Sequence, residues 1–329
     1  MAQFPNSTGP NSGVWTLEDV YDARIGGNWP DATLNRGIFS GGGSPTLTNI
    51  MDYVAISSTG NAIDFGNLDA DLSACASVSS QTRGVVGGGG SSGGAGVNTL
   101  QYVTIASTGD TTDFGDLNSN ARVTSSAGLS NSTRGLFAGG EGAAPGYPTT
   151  NVIDYITIAT TSNATDFGDL AANGYTLGGT ASGTRGVFAG GTPGVSNVIQ
   201  YVTIASTGNT TDFGDLSVAR RRIGSGVQSS GTRGIFSGGE TPTATNIIDY
   251  ITIASTGNAT DFGDLTNTTS STCGTTSSTT RALTSAMSTS TNTIDFVTMA
   301  STSNATDFGD LTVGRTFVTG MSSAHGGLQ

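Results

Sequence analysis

The sequence predicts an all-β fold, a six-bladed β-propeller with four antiparallel strands per blade and a C-terminal strand closing blade one. Three observations predict it. The phrase "STGNATDFGDL" (Ser255–Leu265) recurs in near-copies, six in all, beginning at Ser58, Ser107, Thr160, Ser206, Ser255 and Ser301. Each copy belongs to a unit of roughly fifty residues holding four strand-like segments, and repeats of that period stack into one body. The first unit lacks its first segment, and the end of the chain carries a spare one.

One unit shows the elements in order. It opens with a small-residue segment, "RVTSSAGLS" (Arg122–Ser130), followed by "TRGLFAGG" (Thr133–Gly140), which alternates and ends in paired glycines. After the variable loop "EGAAPGYPTT" comes "NVIDYITIA" (Asn151–Ala159), β-branched and aromatic as a strand requires. The turn "TTSNAT" then leads into "DFGDL" (Asp166–Leu170). Its centre is Gly-Asn or Gly-Asp in four copies and Ser-Asn in two, and it is expected to be a tight two-residue hairpin turn with positive φ.

The first unit begins at "NRGIFSGGG" (Asn35–Gly43), with no small-residue strand before it. After the last "DFGDL" (Asp307–Leu311) the chain continues "VGRTFVTGMSSAHGG" (Val313–Gly327), which supplies the missing strand. Closing the circle removes the exposed sheet edges. Residues 1–34 are expected to form an N-terminal arm and residues 35–329 the propeller. The first strand of each blade should line the axis. Segments such as "SACASVSS", "TLGGTASG" and "STCGTTSS" predict a narrow, weakly polar channel, too small for a large axial catalytic pocket.

Composition limits the function classes. The formal charge is −12 and all 12 basic residues are arginine, which excludes the basic surface of a duplex nucleic-acid binder. The run Arg220-Arg221-Arg222 is expected to be a solvated loop. Cys75 and Cys273, at similar places in nonadjacent units, are expected to be small buried residues rather than a bridge or a metal pair. "MAQFPNSTGP" has no cationic or apolar leader region, and no apolar run approaches the ~18 residues of a membrane span. The expectation is a soluble product with no membrane insertion and no secretory signal of its own.

Chemistry-bearing residues are few. His325, the single histidine, lies in the tail "SSAHGGLQ" and lacks the setting of a triad or metal site. "DFG" without any lysine is not a kinase motif, and the "GGG" stretches lack the lysine and helix of a phosphate loop. The repeated Asp64, Asp113, Asp166, Asp212, Asp261 and Asp307 form an equivalent ring rather than the facing pair of a glycosidase. Arg36, Arg83, Arg134, Arg185, Arg233 and Arg281 each open a second strand, level with those aspartates. They are expected to bridge to them; the alternative is an anion-binding ring. Tyr53, Tyr102, Tyr155, Tyr201, Tyr250 and Phe296, with the Phe of each "DF", should pack between blades. Neither a catalytic residue nor a cofactor is predicted.

Recognition is expected where the units differ, in the loops between second and third strands. Glu141, Tyr147 and Glu240 are the candidate ligand contacts, against the plainer reading of unselected surface loops. The segment before the repeats holds both tryptophans. Trp15, Tyr21 and Trp29 are candidate docking residues, packing on the propeller rim or on another subunit. "TLEDVYDAR" has the pattern of a short amphipathic helix capped by Thr16.

Two resemblances follow from these residues. The double glycine Gly139-Gly140, Tyr155 and Phe167 resemble the kelch repeat across roughly Asn35 to His325, with Phe where kelch usually has Trp. The sixth unit departs most, with "RALTSAMS" for the glycine pair and Phe296 for Tyr. Kelch resemblance implies a propeller used as a binding module. "GVWTLEDVYDARIGGNWP" (Gly13–Pro30) and repeats such as "YITIASTGNATDFGDL" (Tyr250–Leu265) look similar to segments of virion structural and tail-fibre-like proteins of marine tailed phages, of the cyanophage and pelagiphage kind. That resemblance implies a non-enzymatic virion protein, made in the host cytoplasm and present in multiple copies per particle. Its implied partners are other virion proteins and a host-surface glycan or receptor. A free-standing kelch-like protein-binding propeller is the alternative, and a glycan-cleaving propeller a third class.

Overall fold

The computed structural model describes residues 35–328 apart from 44–45, 92–95, 119–121, 125–126, 143–147 and 286–290. Contacts divide the chain between Leu34 and Asn35, and the second unit is the one described. Trp15, Tyr21, Trp29 and Tyr147 lie outside the described residues.

The second unit is an all-β propeller of six blades. In blade one the strand order from the axis outward is Thr319–Ser322, Arg36–Ser40, Ile50–Ala55, Ile63–Asn67. The C-terminal strand pairs antiparallel with the first, Gly37 opposite Ser322 and Ser40 opposite Thr319, so the ring closes as the spare segment predicts. Blades two, three, four and six repeat this order, with second strands at Arg83–Gly87, Arg134–Ala138, Arg185–Ala189 and Arg281–Ser285. In blade five the inner segment forms no continuous strand and pairs with Arg233–Ser237 through the Ser229–Gly234 bridge and isolated backbone bonds, among them Ile235 N–H to the Gln228 carbonyl at 3.0 Å and Gly224 N–H to the Ser237 carbonyl at 3.1 Å. There Gln228 points into the seam with blade six, donating to the Leu283 carbonyl at 2.9 Å and accepting from Ser237 Oγ at 2.7 Å.

The core lies in the seams. Six apolar clusters each draw mainly on two adjacent blades; one joins Leu129, Leu136 and Phe167 of blade three to Phe188, Val202 and Ile204 of blade four, with Val227 of blade five added. Each buried side chain contributes roughly 1.5–3 kcal/mol, so a blade is stabilised by its neighbours and has no core of its own.

The repeated phrase builds the outer ring. Each outer strand carries a bulge at its Phe: Met51 pairs with Gly66 and Asp52 with Asp64, leaving Phe65 as the extra residue and sending it into the core. The following glycine has φ between 139° and 148° in the six blades. A methyl group on it would overlap the turn of the next blade, at Gly109 for Gly66 and at Gly208 for Gly168. That turn docks on the strand. Gly109 N–H donates to the Phe65 carbonyl at 2.7 Å, and Asn67 N–H donates to Asp110 Oδ1 at 2.9 Å. The side-chain bond recurs at Asn163, Asn209, Asn258, Asn304 and Asn61, at 3.0–3.1 Å.

This corrects the tight-turn expectation. The ladder between third and outer strands ends at Tyr53–Ile63, so the connection is longer than two residues, and Asn61 is not at positive φ. Asn is there for its side-chain oxygen.

The axis is filled rather than channelled. Ser77 Oγ lies 2.8 Å from Thr319 Oγ1, Ser225 Oγ 3.0 Å from the same atom, and Ser79 Oγ donates to the Ser322 carbonyl at 2.7 Å. A methyl group at Gly128, Gly226 or Gly320 would overlap a neighbouring inner strand. Small side chains let the inner strands touch, which removes the narrow pore that composition predicts.

Candidate functional site

The propeller presents two faces. One carries the turns between inner and second strands and the six arginines. Each guanidinium lies over the aromatic ring of its own blade, 4.3–4.6 Å from the tyrosine centroids and 4.9 Å from Phe296. Each ring in turn meets the Phe of the outer strand edge-on, at 5.8–6.0 Å. Nη1 then crosses the seam to a backbone carbonyl of the next blade. Arg36 reaches Ile105, Arg83 Ile158, Arg134 Ile204, Arg185 Ile253, Arg233 Met299 and Arg281 Ile56, at 2.7–3.2 Å.

The expected Arg–Asp bridges do not form. Asp64 is in register with Asp52, which pairs with Phe39, three residues along the second strand from Arg36 and two strands outward. The repeated aspartates are solvent-exposed, while each arginine is held by an aromatic ring and a carbonyl.

The other face carries the links between blades and the loops after the second strands. Here sequence reasoning missed a ring. The third-strand residue before the aromatic is Asp52, Gln101, Asp154, Gln200, Asp249 or Asp295, and all six are buried. Each accepts a backbone N–H from the preceding link: Thr312, Asp69, Asn118, Ala171, Ser217 and Thr266 respectively. Where the link also carries a buried arginine the acceptor is Asp, as in Arg315–Asp52 at 2.8 Å and Arg220–Asp249 at 2.7 Å. The acceptors of blades two and four, whose links carry no arginine, are Gln101 and Gln200. Arg122 stands in the link before Asp154; its side chain lies outside the described residues. Asp295 breaks the pattern, since its link has no arginine and Thr266 supplies its bonds. Burial raises the Asp295 pKa, opposed by those Thr266 bonds. The sequence signal was available in the alternation of Asp and Gln with the presence or absence of a link arginine.

The same face corrects two further expectations. Arg220 is fully buried, so the arginine run is not a solvated loop, and burial lowers its pKa against the pull of Asp249. Arg221 and Arg222 remain about one-third exposed and clamp Glu240 at 2.5 and 2.9 Å. Glu240, proposed as a ligand contact, is thus nearly buried and committed to holding the link against its loop. Glu141 is half-buried in a short backbone pairing with Thr124 and Thr149.

On the arginine face the C-terminal tail plugs the axis. Gly326 N–H donates to the Ser229 carbonyl at 2.7 Å, and the turn Gly326–Leu328 is buried. His325 is buried beside Ser130 Oγ at 3.3 Å and accepts the Gly327 N–H on Nδ1 at 3.2 Å. Burial pushes its pKa down to about 4, so it is neutral at pH 7. Cys75 and Cys273 are free, buried thiols whose pKa burial pushes up to about 12, which leaves them protonated and unreactive. Among the described residues, no group of three or more His, Cys, Asp or Glu is placed to hold a metal ion.

No protein-family model matches the chain, and no curated protein matches it. The fold therefore stands on the geometry above, and a propeller of this construction fits a protein-binding or structural role.

Proposed function

We propose that the chain is a phage virion structural protein, in a tail, fibre or surface-decorating position, whose propeller contacts host-surface glycan or neighbouring virion proteins. One observation carries the structural half of this reading: three repeated sets of polar groups hold the ring together. The arginines, the buried Asp and Gln residues and the turn asparagines each tie one blade to the next. Such a body is a rigid platform for contact surfaces rather than a vessel for a reaction. The virion half rests on the resemblance of Gly13–Pro30 and of the repeats to phage particle proteins, and assigns docking to Trp15, Tyr21 and Trp29.

Mass spectrometry of purified particles, with immunogold labelling, tests it. Multiple copies on the particle surface are expected. Recovery of the protein only in the free, non-sedimenting fraction of the lysate overturns the virion reading in favour of a free-standing kelch-like binding propeller.

A further inference from the structure

Pseudo-sixfold repetition makes the seams alike, and the C-terminal tail adds Leu328 to the one between blades two and three. After Ser322 of blade one the tail places His325 beside Ser130 of blade three and ties Gly326 to Ser229 of blade five. Leu328 of the tail walls a cleft of about 540 Å³ between blades two and three on the arginine face. The remaining lining is Ser80, Gln81, Thr82 and Arg83 of blade two with Ser132 and Ala159 of blade three.

The chemistry of this lining is selective. It holds one guanidinium, one amide and three hydroxyls, with no Asp or Glu, in a chain of formal charge −12. Arg83 is fixed before any ligand arrives, 4.3 Å over the Tyr102 ring and with Nη1 on the Ile158 carbonyl at 2.9 Å. That bond uses one of the guanidinium's roughly five N–H donors, and the planar fork suits a carboxylate. Ser132, Thr82 and Gln81 are exposed and offer partners to hydroxyls. Exposed Ala159, with the buried Leu328 behind it, offers apolar surface to the C–H face of a pyranose. The volume falls in the ordinary range of small-molecule sites, roughly 300–1,000 Å³.

We propose that this cleft binds an acidic saccharide, its carboxylate on Arg83 and its hydroxyls on the rim of Ser132, Thr82 and Gln81. The assignment deepens the surface-contact reading and rests on it for the glycan's origin. The binding itself is measured on the purified full-length protein.

The probes are galacturonic acid, galactose 6-sulfate and galactose, followed by saturation-transfer NMR and titration calorimetry. Galacturonic acid is expected to bind about tenfold or more tightly than galactose, the worth of one charge-assisted hydrogen bond. Arg83→Gln removes that preference. Arg185→Gln, the equivalent change at the seam of blades four and five, outside this cleft, leaves it intact. Arg83 also ties two blades together, so Ser132→Trp provides a second test: it fills the cleft from its exposed rim without touching the Arg83 contacts, and abolishes binding. Equal affinity for galactose and galacturonic acid, no binding of any probe, or unchanged binding in Ser132→Trp overturns the proposal. Preference for galactose 6-sulfate over galacturonic acid overturns the carboxylate assignment in favour of a sulfated sugar. Binding by a protein that is absent from particles leaves the cleft in place and removes the virion reading alone.

Discussion

The buried third-strand position is where single residues decide between alternatives. It needs an acceptor for the N–H of the preceding link, and a carboxylate or an amide serves equally. A carboxylate out of water is costly unless paired. The chain places Asp52 and Asp249 against the buried Arg315 and Arg220, and uses Gln101 and Gln200 in blades whose links have no arginine. Asp249→Asn strands Arg220, which is fully buried, and should destabilise the protein by about 3–5 kcal/mol. Asp295→Asn strands no cation and keeps an acceptor for the Thr266 N–H, so its effect should stay within about 1 kcal/mol of zero or be stabilising. Urea unfolding of the two variants beside the parent separates these outcomes. Equal losses in both would show that the ion pair is not what the carboxylate at 249 serves.

At the scale of the element, the outer strand and the turn that docks on it act as one joint. Gly168 has φ 144°, and a methyl group there would overlap the turn of blade four at Gly208. Gly168→Ala combines backbone strain with a steric clash and should cost about 2 kcal/mol or more. Gly208 has φ 157°, close to extended backbone, with open space around its Cβ position, and Ser162 and Ser303 stand at the equivalent place in other blades without a positive φ. Gly208→Ser should therefore cost under about 1 kcal/mol. Thermal unfolding distinguishes them, and a Gly208 variant as damaged as the Gly168 variant would move the strain from the strand to the turn.

The same joint shows what a sequence carries and what it withholds. The strands were legible because period-two alternation and β-branched runs are local, and the six-fold count because repetition is visible without a fold. The glycine-asparagine pair was legible as a turn but not as this turn, since the atom that Asn61 binds belongs to Asp310, far away in the chain. The arginines were misassigned for a related reason. Two strands can start at the same face yet be offset, and only the register places Asp64 beside Asp52, three residues along from Arg36. Tail residues such as His325 carried no pattern at all, because their environment is assembled from Ser130, Ser229 and Gly231 of other blades.

For the whole molecule, closure depends on the chain's last stretch twice over: the strand Thr319–Ser322 completes blade one, and the residues after it seal the axis. His325 couples that seal to pH. Its Nδ1 accepts the Gly327 N–H, which places the proton of the neutral ring on Nε2, toward Ser130. Protonation sets a donor against a donor at Nδ1 and a charge in a buried site. The folded pKa, about 4, lies below the usual 6.5, so between those values the unfolded chain binds the extra proton. This contribution is complete above pH 6.5, is lost as pH falls toward 4, and amounts to about 3 kcal/mol. Asp295 works in the opposite direction, because its raised pKa favours the folded state as it takes up a proton. The parent's total pH profile therefore mixes the two, and the difference between the parent and His325→Gln isolates the histidine. Urea unfolding at pH 7 and pH 4 should show the parent losing about 3 kcal/mol more than the variant. Parallel losses in the two proteins would mean that the plug opens to solvent without cost and that the axis is sealed by the inner strands alone.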